Sequence, residues 1–453
     1  MRRTPDRETA EEAAAFVLET AAKKGAAAAD VLYIAGAGHS LSLLDGEPER
    51  ISTGFSVGIG IRTLDSSGRQ GVSRVNSLSR GRLEEAVDWS ISNCGACEED
   101  PFVGLGPALS QTADDLDLYD SEIAELDTSD RMNFCKRMWE CARDEDPRVV
   151  SVRSASWGDG VQEMLYASSE GSMAWSKGTT AGCGVSVVLS SGEDMEMGGY
   201  GEADRLLSSL SPERTAREAV ERSAMVLGGK PLPTGKYDLI LDPESSASFI
   251  EVVGELFLAS NIHKNRSLLM DRLGERVSSA SLTLVDDGTL KRGLGSAPFD
   301  DEGVPASKTR ILAGGVAESW LYNLKYARMD GVRSTGNASR PLSGVPDVGI
   351  SNLCVEPGKW TRQDLLLQVR RGICVKELLG LHTINPVSGD FSLGIKGARV
   401  QNGEVREPVG GMTIAGNILD FLDSLDLLGN DFKFSGNIGS CSMVIRDVTT
   451  AGT

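Results

Sequence analysis

Apolar residues recur along the chain at two different spacings, which together predict an α+β protein. Apolar positions three and four residues apart are typical of one helix face and predict helices over residues 4–24, 83–91, 129–143 and 211–227. Alternation of apolar and polar residues is typical of half-buried strands and predicts strands near residues 30–36, 39–44, 52–63 and 69–75. The acidic stretch between residues 98 and 127 lacks either period, so it indicates a long connection.

A pattern in the first part of the chain recurs about 130 residues later. Gly54-Phe55-Ser56-Val57-Gly58-Ile59 is echoed by Gly182-Cys183-Gly184-Val185-Ser186-Val187, and a hairpin and a helix follow each copy. This spacing is much longer than the repeats of solenoid proteins. The sequence therefore predicts a duplicated strand, hairpin and helix unit within one N-terminal domain.

Residues 228–235 mark the clearest domain boundary, because this short stretch contains two prolines and three glycines. A buried strand at 237–241 and a helix near 243–259 are predicted directly after it. The remainder alternates short apolar runs with glycine and asparagine turns, which is typical of β-rich structure. We therefore predict an α+β domain over residues 1–228 and a β-rich domain over residues 236–453.

Composition excludes several classes of function. The 453 residues carry a formal net charge of −19, which argues against a nucleic-acid binder or a protein of anionic membrane surfaces. No run of 18 uncharged apolar residues predicts a transmembrane helix, and acidic residues interrupt any signal-peptide core near the start. A cytoplasmic location is expected. The 52 glycines lie mostly in alternating stretches, and this favours hairpins and bulges.

The cysteines and histidines do not form a familiar metal motif. Eight sparse cysteines without a signal peptide indicate reduced thiols, and the lone Cys94-Gly95-Ala96-Cys97 pair is best interpreted as ordinary thiols at a helix end. The three histidines, His39, His263 and His382, are too far apart for a paired zinc motif on one helix.

Two glutamates on the helix near residues 243–259 are the other candidates for metal chemistry. Glu251 and Glu255 are four residues apart and should project from one side of the helix, and His263 follows. Two carboxylates and a histidine can bind a metal, but a solvated acidic face is the favoured interpretation. The acidic stretches at residues 286–288 and 300–303 are interpreted as turns, because neither has the ligand pattern of an EF-hand.

Six short segments follow one another in the second half: Leu273-Gly274-Glu275 followed by Val277, Val285-Asp286-Asp287-Gly288-Thr289, Phe299-Asp300-Asp301-Glu302-Gly303-Val304-Pro305, Ser334-Thr335-Gly336-Asn337, Ile414-Ala415-Gly416-Asn417 and Gly429-Asn430-Asp431. In this order they resemble the TldD/PmbA family, once described as modulators of DNA gyrase and now viewed as peptidases. The resemblance covers residues 236–453 well and the first half more loosely.

In the catalytic branch of that family, a His-Glu-x-x-x-His helix motif and a C-terminal cysteine bind zinc, with the glutamate as general base. In this chain the resemblance assigns these positions to Ile250, Glu251, Glu255 and Cys441. Isoleucine has no lone pair and a carboxylate is a harder ligand than imidazole, so we expect no zinc in this chain. Without a metal, Glu251 alone cannot activate water. The chain therefore resembles the second branch, the PmbA or TldE type, which lacks the histidine pair.

The resemblance implies that this chain is a non-catalytic subunit of a cytosolic metallopeptidase. A TldD-type partner would supply the zinc, and this chain would complete the chamber that holds unfolded peptides or peptide leaders. One alternative is an active peptidase with a rebuilt metal site using Glu251, Glu255, and His263 or Cys441. Another is a non-enzymatic, homo-oligomeric binding protein.

Overall fold

The first half of the chain is built on one antiparallel sheet. In the computed structural model, which describes residues 5–109 and 115–453, its strands are β1 (Ala28–Leu44), β2 (Glu47–Leu64), β3 (Gln70–Val75), β4 (Val149–Ser168), β5 (Met173–Ser191) and β6 (Asp194–Asp204). The helices of this half are α1 (Arg7–Lys23), α2 (Arg80–Gly95), α3 (Ser121–Glu125), α4 (Thr128–Asp144) and α5 (Pro212–Val226). The strand order is β3-β2-β1-β4-β5-β6.

One face of this sheet is apolar and carries the helices. Helices α1 and α2 pack on residues such as Val31 and Ile61, and α4 and α5 pack on residues such as Trp157 and Val187. Because side chains alternate between the two faces of a strand, the residues in between form the opposite face. That face is rich in glycine and serine, and none of the helices in the described part of the chain packs its apolar side against it.

The order of elements repeats within the first half. Helix, three antiparallel strands and helix occur as α1-β1-β2-β3-α2 and again as α4-β4-β5-β6-α5, and the two copies meet where β1 pairs with β4. The echoed sequences at residues 54–59 and 182–187 lie in β2 and β5, the second strand of each copy. The predicted duplication is therefore visible in the topology of the sheet.

Several predicted boundaries need correction. The strands predicted at 30–36 and 39–44 form the single strand β1, because the residues between them stay paired with both neighbouring strands. Helix α1 begins at Arg7, where the Asp6 side chain accepts a hydrogen bond from the Thr9 amide, and residue 4 lies outside the described residues. Helix α5 begins as predicted: the Ser211 hydroxyl accepts from the Arg214 amide.

The second half consists of two larger sheets and a short strand pair. Its strands are β7 (Gly235–Leu241), β8 (Leu284–Asp287), β9 (Lys308–Ala313), β10 (Val316–Ala317), β11 (Ala338–Ser339), β12 (Asp347–Val348), β13 (Leu353–Val355), β14 (Arg371–Leu379), β15 (Asp390–Gln401), β16 (Glu404–Asn417), β17 (Leu425–Leu428), β18 (Lys433–Ser435), β19 (Ile438–Ser440) and β20 (Met443–Ala451). The sheet orders are β16-β15-β14-β7-β20-β17 and β10-β9-β8-β13-β19-β18, with β11 paired to β12. The prediction of an α+β protein with a β-rich second half is confirmed.

The helices of this half are α6 (Pro243–Glu255), α7 (Ala259–His263), α8 (Leu324–Met329), α9 (Arg362–Leu367) and α10 (Ile418–Asp423). Helix α6 lies between the two large sheets and contacts β7 and β14 on one side and β18 and β19 on the other. The helix predicted near 243–259 ends earlier, at Glu255, because the chain turns and the Ala259 amide donates to the Leu321 carbonyl. In the part of the chain that the structure describes, no helix has both the length and the apolar character needed to cross a membrane.

Candidate functional site

A cavity of about 760 Å³ lies between the helix-free face of the first sheet and loops of the second half. Its volume falls within the range of small-ligand sites. The sheet forms a floor, and loops at residues 288–306 and 336–351 form the roof. Small and polar residues predominate on both sides, and larger apolar residues such as Ile34, Met164 and Phe299 also line the cavity. The floor residues are Ile34, Gly36, Ala37, Gly38, Gly54, Phe55, Ser56, Gly160, Val161, Gln162, Met164, Ser176, Gly178 and Thr180.

Glycines give the cavity a flat floor. Strand pairing aligns Gly54, Gly38 and Gly160 in one row across β2, β1 and β4, and Gly36 stands beside Gln162 in the next row. A glycine adds no side chain above the strand backbone, so a ligand can approach the sheet closely. The sequence interpretation of these glycines as hairpins and bulges was wrong here, because they lie inside long, continuously paired strands.

A buried carboxylate holds the roof loops together. Asp286 accepts hydrogen bonds from Asn337 Nδ2 at 2.7 Å and from the Ser351 amide at 2.9 Å. Burial raises the pKa of Asp286 to about 6, although these two donors oppose the shift. The turn predicted at 286–288 is therefore only partly right, since Asp286 belongs to strand β8.

A second buried carboxylate closes the turn at residues 300–303. Asp300 Oδ1 accepts from the amides of Glu302 and Val304, and Oδ2 accepts from the Ala338 amide, all at 2.9 Å. Burial and the neighbouring charge of Glu302 raise the pKa of Asp300 to about 8. Both Asp286 and Asp300 are thus positioned by backbone contacts and shape the roof.

Four buried charged side chains join the floor to the roof. Arg62 of β2 donates from Nε to Asp30 Oδ2 at 3.0 Å, and its Nη1 lies 3.4 Å from Glu302 Oε1. Arg340 Nη2 lies 2.9 Å from Asp30 Oδ1. Burial alone would raise the pKa of Asp30, but Arg340 and Arg62 outweigh burial and hold it below its ordinary value. The sheet and the roof are therefore connected by opposite charges within the interior.

The positions that the family resemblance singles out lie elsewhere, at α6. Ile250 is fully buried in the core that also contains Cys441. Helix α6 meets β19 through the hydroxyls of Ser246 and Ser440, which are 2.6 Å apart. Burial raises the pKa of the Cys441 thiol to about 11, so it is protonated at neutral pH. At the position that the resemblance assigns to the first zinc ligand, this chain has the packed hydrocarbon side chain of Ile250.

The remaining candidates point away from this core. Glu251 and Glu255 are both exposed, as the four-residue spacing predicted. His263 Nε2 lies 2.8 Å from Asp330 Oδ1 and its ring stacks on Tyr326. Within residues 5–109 and 115–453, no three His, Cys, Asp or Glu side chains come close enough together to hold a metal ion. The set Glu251, Glu255, His263 and Cys441 is therefore not gathered into one site.

The Cys94 and Cys97 pair lies at the end of α2. Both thiols are free, and Cys94 Sγ donates to the Arg69 carbonyl at 3.1 Å. Burial raises the pKa of Cys94. A buried thiol with a raised pKa is unreactive.

Sequence reasoning missed the cavity and one charged residue on its edge, Arg205, which directly follows β6. The available signal was the recurrence of glycine at every second position, in Gly36 and Gly38 and again in Gly158 and Gly160. Such spacing places all of these glycines on one face of a strand. Nothing in the local sequence indicated that loops some 250 residues away would cover that face.

Three family models match most of the chain. They are described as PmbA/TldA metallopeptidase domain 1 over residues 29–94, the central domain over residues 121–227 and the C-terminal domain over residues 234–452. Among relatives, a metalloprotease of Methanocaldococcus jannaschii is 29% identical over 91% of both chains. The metalloprotease PmbA of Escherichia coli O157:H7 is 27% identical over 98% of this chain and 97% of its own length.

Solved structures show the same fold. A proposed modulator of DNA gyrase from Thermotoga maritima superimposes with a TM-score of 0.89 at 28% identity, over 97% of this chain and all of the other. TldE from Thermococcus kodakarensis superimposes with a TM-score of 0.88 over 98% of this chain and 100% of its own, at 21% identity. The latter similarity extends to the fold alone.

Proposed function

Because this chain belongs to the PmbA/TldD metallopeptidase family, we propose that it is the non-catalytic, PmbA/TldE-like subunit of a cytosolic peptidase. A TldD-type partner supplies the zinc and the general base. This chain completes the substrate chamber and helps to hold an unfolded peptide or a peptide leader. Cleavage takes place at the partner's metal.

One observation carries this proposal: Ile250 is 0% exposed in the core that also includes Cys441. Catalytic zinc sites use three protein ligands and an open position for water. An isoleucine donates no electron pair, and a protonated thiol is a poor ligand. The exposed Glu255 projects to solvent instead of toward Cys441, which is 0% exposed. This arrangement supports the proposal of a subunit in which these positions contribute to core packing and do not bind a metal.

The cavity supports the substrate side of the proposal. Extended peptides bind proteins mainly through their backbone, with side chains in pockets between. The floor is rich in glycine and the roof consists of loops, so a peptide backbone can lie close to both with little steric restriction on its side chains. Such a surface suits peptides of varied sequence and leaves out folded proteins, whose width exceeds the space.

The test is peptide cleavage by purified subunits, alone and mixed. We expect no cleavage by this chain alone and zinc-dependent cleavage after addition of a TldD-type subunit. Glu251→Gln in this chain should leave cleavage by the mixture unchanged, whereas replacing the zinc-binding histidines of the added subunit should abolish it.

Other outcomes select the alternatives. Chelator-sensitive cleavage by the chain alone, lost in Glu251→Gln, would establish an active peptidase with a rebuilt site. No cleavage in any mixture, together with a stable homo-oligomer, would favour a binding protein.

A further inference from the structure

Arg205 places a positively charged guanidinium in the lining of the cavity, where its hydrogen-bond partners are mainly backbone carbonyls. Its Nη2 donates to the Leu294 carbonyl at 2.8 Å, its Nη1 to the Thr179 carbonyl at 3.1 Å, and its Nε to the Gly293 carbonyl at 3.4 Å. The Thr180 hydroxyl lies 3.5 Å from Nη1. Among the described residues, no acidic side chain forms an ion pair with it. These four contacts leave at least one of the five N–H groups without a partner among residues 5–109 and 115–453.

The floor is shaped around this guanidinium. A Cβ atom on Gly178 would lie 2.8 Å from Arg205 Nη1, so the side chain rests where Gly178 leaves room. Burial lowers the pKa of Arg205, and the charge of Asp204 offsets only part of this. Arginine nevertheless stays protonated. The site therefore holds a cation that a bound anion would stabilise.

The other charged residues on the described lining are already engaged. Asp300 uses both oxygens to accept backbone amides, and Asp301 Oδ2 accepts from the Arg340 amide at 2.7 Å. Neither carboxylate contacts Arg205. The cavity thus combines a flat surface for a peptide backbone with one cation at its edge.

We propose that Arg205 binds the free C-terminal carboxylate of a short peptide that lies on the glycine floor of the cavity. This inference deepens the proposed function and rests on it, since it names the end of the peptide that this subunit holds. A charge-assisted bond between guanidinium and carboxylate is among the stronger protein hydrogen bonds. The limited volume favours the end of a chain over a continuous strand.

Calorimetric titration of the full chain with tetra-alanine tests the inference, with the free acid compared with the C-terminal amide. We expect the acid to bind at least about tenfold more tightly, which is the effect of one charge-assisted bond. Arg205→Gln should remove this preference. Arg328→Gln is the matched control, because Arg328 also donates to three backbone carbonyls, those of Phe102, Gly104 and Leu105, but lies outside the cavity.

A second variant covers the case in which Arg205→Gln does not fold. Gly178→Ala keeps the charge but displaces the guanidinium, so it should also reduce the preference for the acid. A third peptide, amidated and carrying one glutamate, distinguishes the two sources of carboxylate. If it binds as tightly as the free acid, the site accepts acidic side chains and the assignment to a peptide end is wrong.

Equal binding of acid and amide, or no binding of either, would overturn the inference. So would a preference that persists in both Arg205→Gln and Gly178→Ala. These results are separable from a failure of the proposed function. If the mixture cleaves peptides but this chain does not distinguish the acid from the amide, the proposed function stands and the inference about Arg205 is wrong. If this chain prefers the acid but no mixture cleaves peptides, carboxylate binding stands and the proposed function is wrong.

Discussion

Arg62 and Glu302 are separated by 240 positions in the sequence, yet their charged groups lie 3.4 Å apart and both side chains are only 2% exposed. Arg62 belongs to the sheet that forms the cavity floor, and Glu302 to the turn that carries Asp300 in the roof. Glu302 also accepts from the Leu324 amide at 2.9 Å. The relative position of floor and roof therefore depends on a charge pair shielded from water.

Removing the cation from this pair should be costly. Arg62→Met leaves Asp30 and Glu302 buried with less compensation, and we expect a loss of about 3–5 kcal/mol in the free energy of unfolding. Urea unfolding measures it. Arg310→Met is the control, because the Arg310–Glu318 pair is 55% and 38% exposed, and such pairs contribute under about 1 kcal/mol. Equal losses in both variants would show that the buried pair has no special role.

Gly303 is expected to tolerate no side chain. Its φ is 72°, and a Cβ atom would lie 2.2 Å from the Tyr166 ring. Gly303→Ala should therefore cost about 3 kcal/mol or more, from overpacking added to left-handed strain. Gly331→Ala is the control that measures backbone strain without overpacking, because Gly331 has φ 67° with open space around it. Strain alone costs about 1–2 kcal/mol. A thermal melt in which both variants shift equally would contradict the steric argument.

Asp286 should make the protein less stable as pH rises. Its pKa is raised to about 6 in the folded state, against about 4 when unfolded. Between these values the folded state binds more protons than the unfolded state, so the contribution present below pH 4 is lost as pH rises through 6. The loss amounts to about 3 kcal/mol.

Asp286→Asn should reduce the fall in stability between pH 4 and pH 6 by the part that Asp286 contributes, and the part due to Asp300, whose pKa is raised to about 8, should remain. Unfolding measured at intervals from pH 4 to pH 7 provides the comparison. Asp364→Asn is the control, because hydrogen bonds from Thr361 lower the pKa of Asp364 at an exposed helix start. The full slope must survive in Asp364→Asn, and an unreduced slope in Asp286→Asn would refute the assignment.

Zinc content of the purified chain should be close to zero. Ile250→His restores at most one imidazole, in the core that also contains the protonated Cys441 thiol, so the variant should also hold below about 0.1 zinc per chain, because zinc sites need three or four ligands. Elemental analysis without chelator gives the answer. A value near one in the unaltered chain would make Glu251, Glu255, His263 and Cys441 the ligands to replace one at a time.

Local signals in the sequence predicted α1, α2, α4, α5, the first three strands, β7 and the start of α6, but not α3 or β4. Ser211 was predictable as the N-cap of α5, because a serine directly before a proline and a helical apolar pattern is a local signal for the start of a helix. The echo of residues 54–59 at 182–187 likewise needed no tertiary information. The order of the family segments also assigned a ligand position on α6 to Ile250, and the loss of a ligand there stays a prediction.

The cavity could not be predicted in the same way. From the sequence, the stretches that contain Asp286 and Asp300 are interpreted as turns, because neither has the ligand pattern of an EF-hand, and nothing local indicates that the two carboxylates are buried. Their burial depends on donors such as Asn337 and Ala338, which the chain reaches only about 40–50 residues later. Arg205 gave no signal at all, because an isolated arginine after a strand is ordinary until the loops over it are known.

The strand order of the first sheet also affects how the protein is made. Strand β1 leaves the ribosome first and can pair with β2 soon afterwards, but the partner of its other edge, β4, is synthesised only about 100 residues later. An open, glycine-rich edge of this length can recruit other nascent chains. Translation speed between residues 45 and 148 thus governs how long each new molecule is exposed to misassembly, and slowing ribosomes within that interval should increase the insoluble fraction more than slowing them after residue 204.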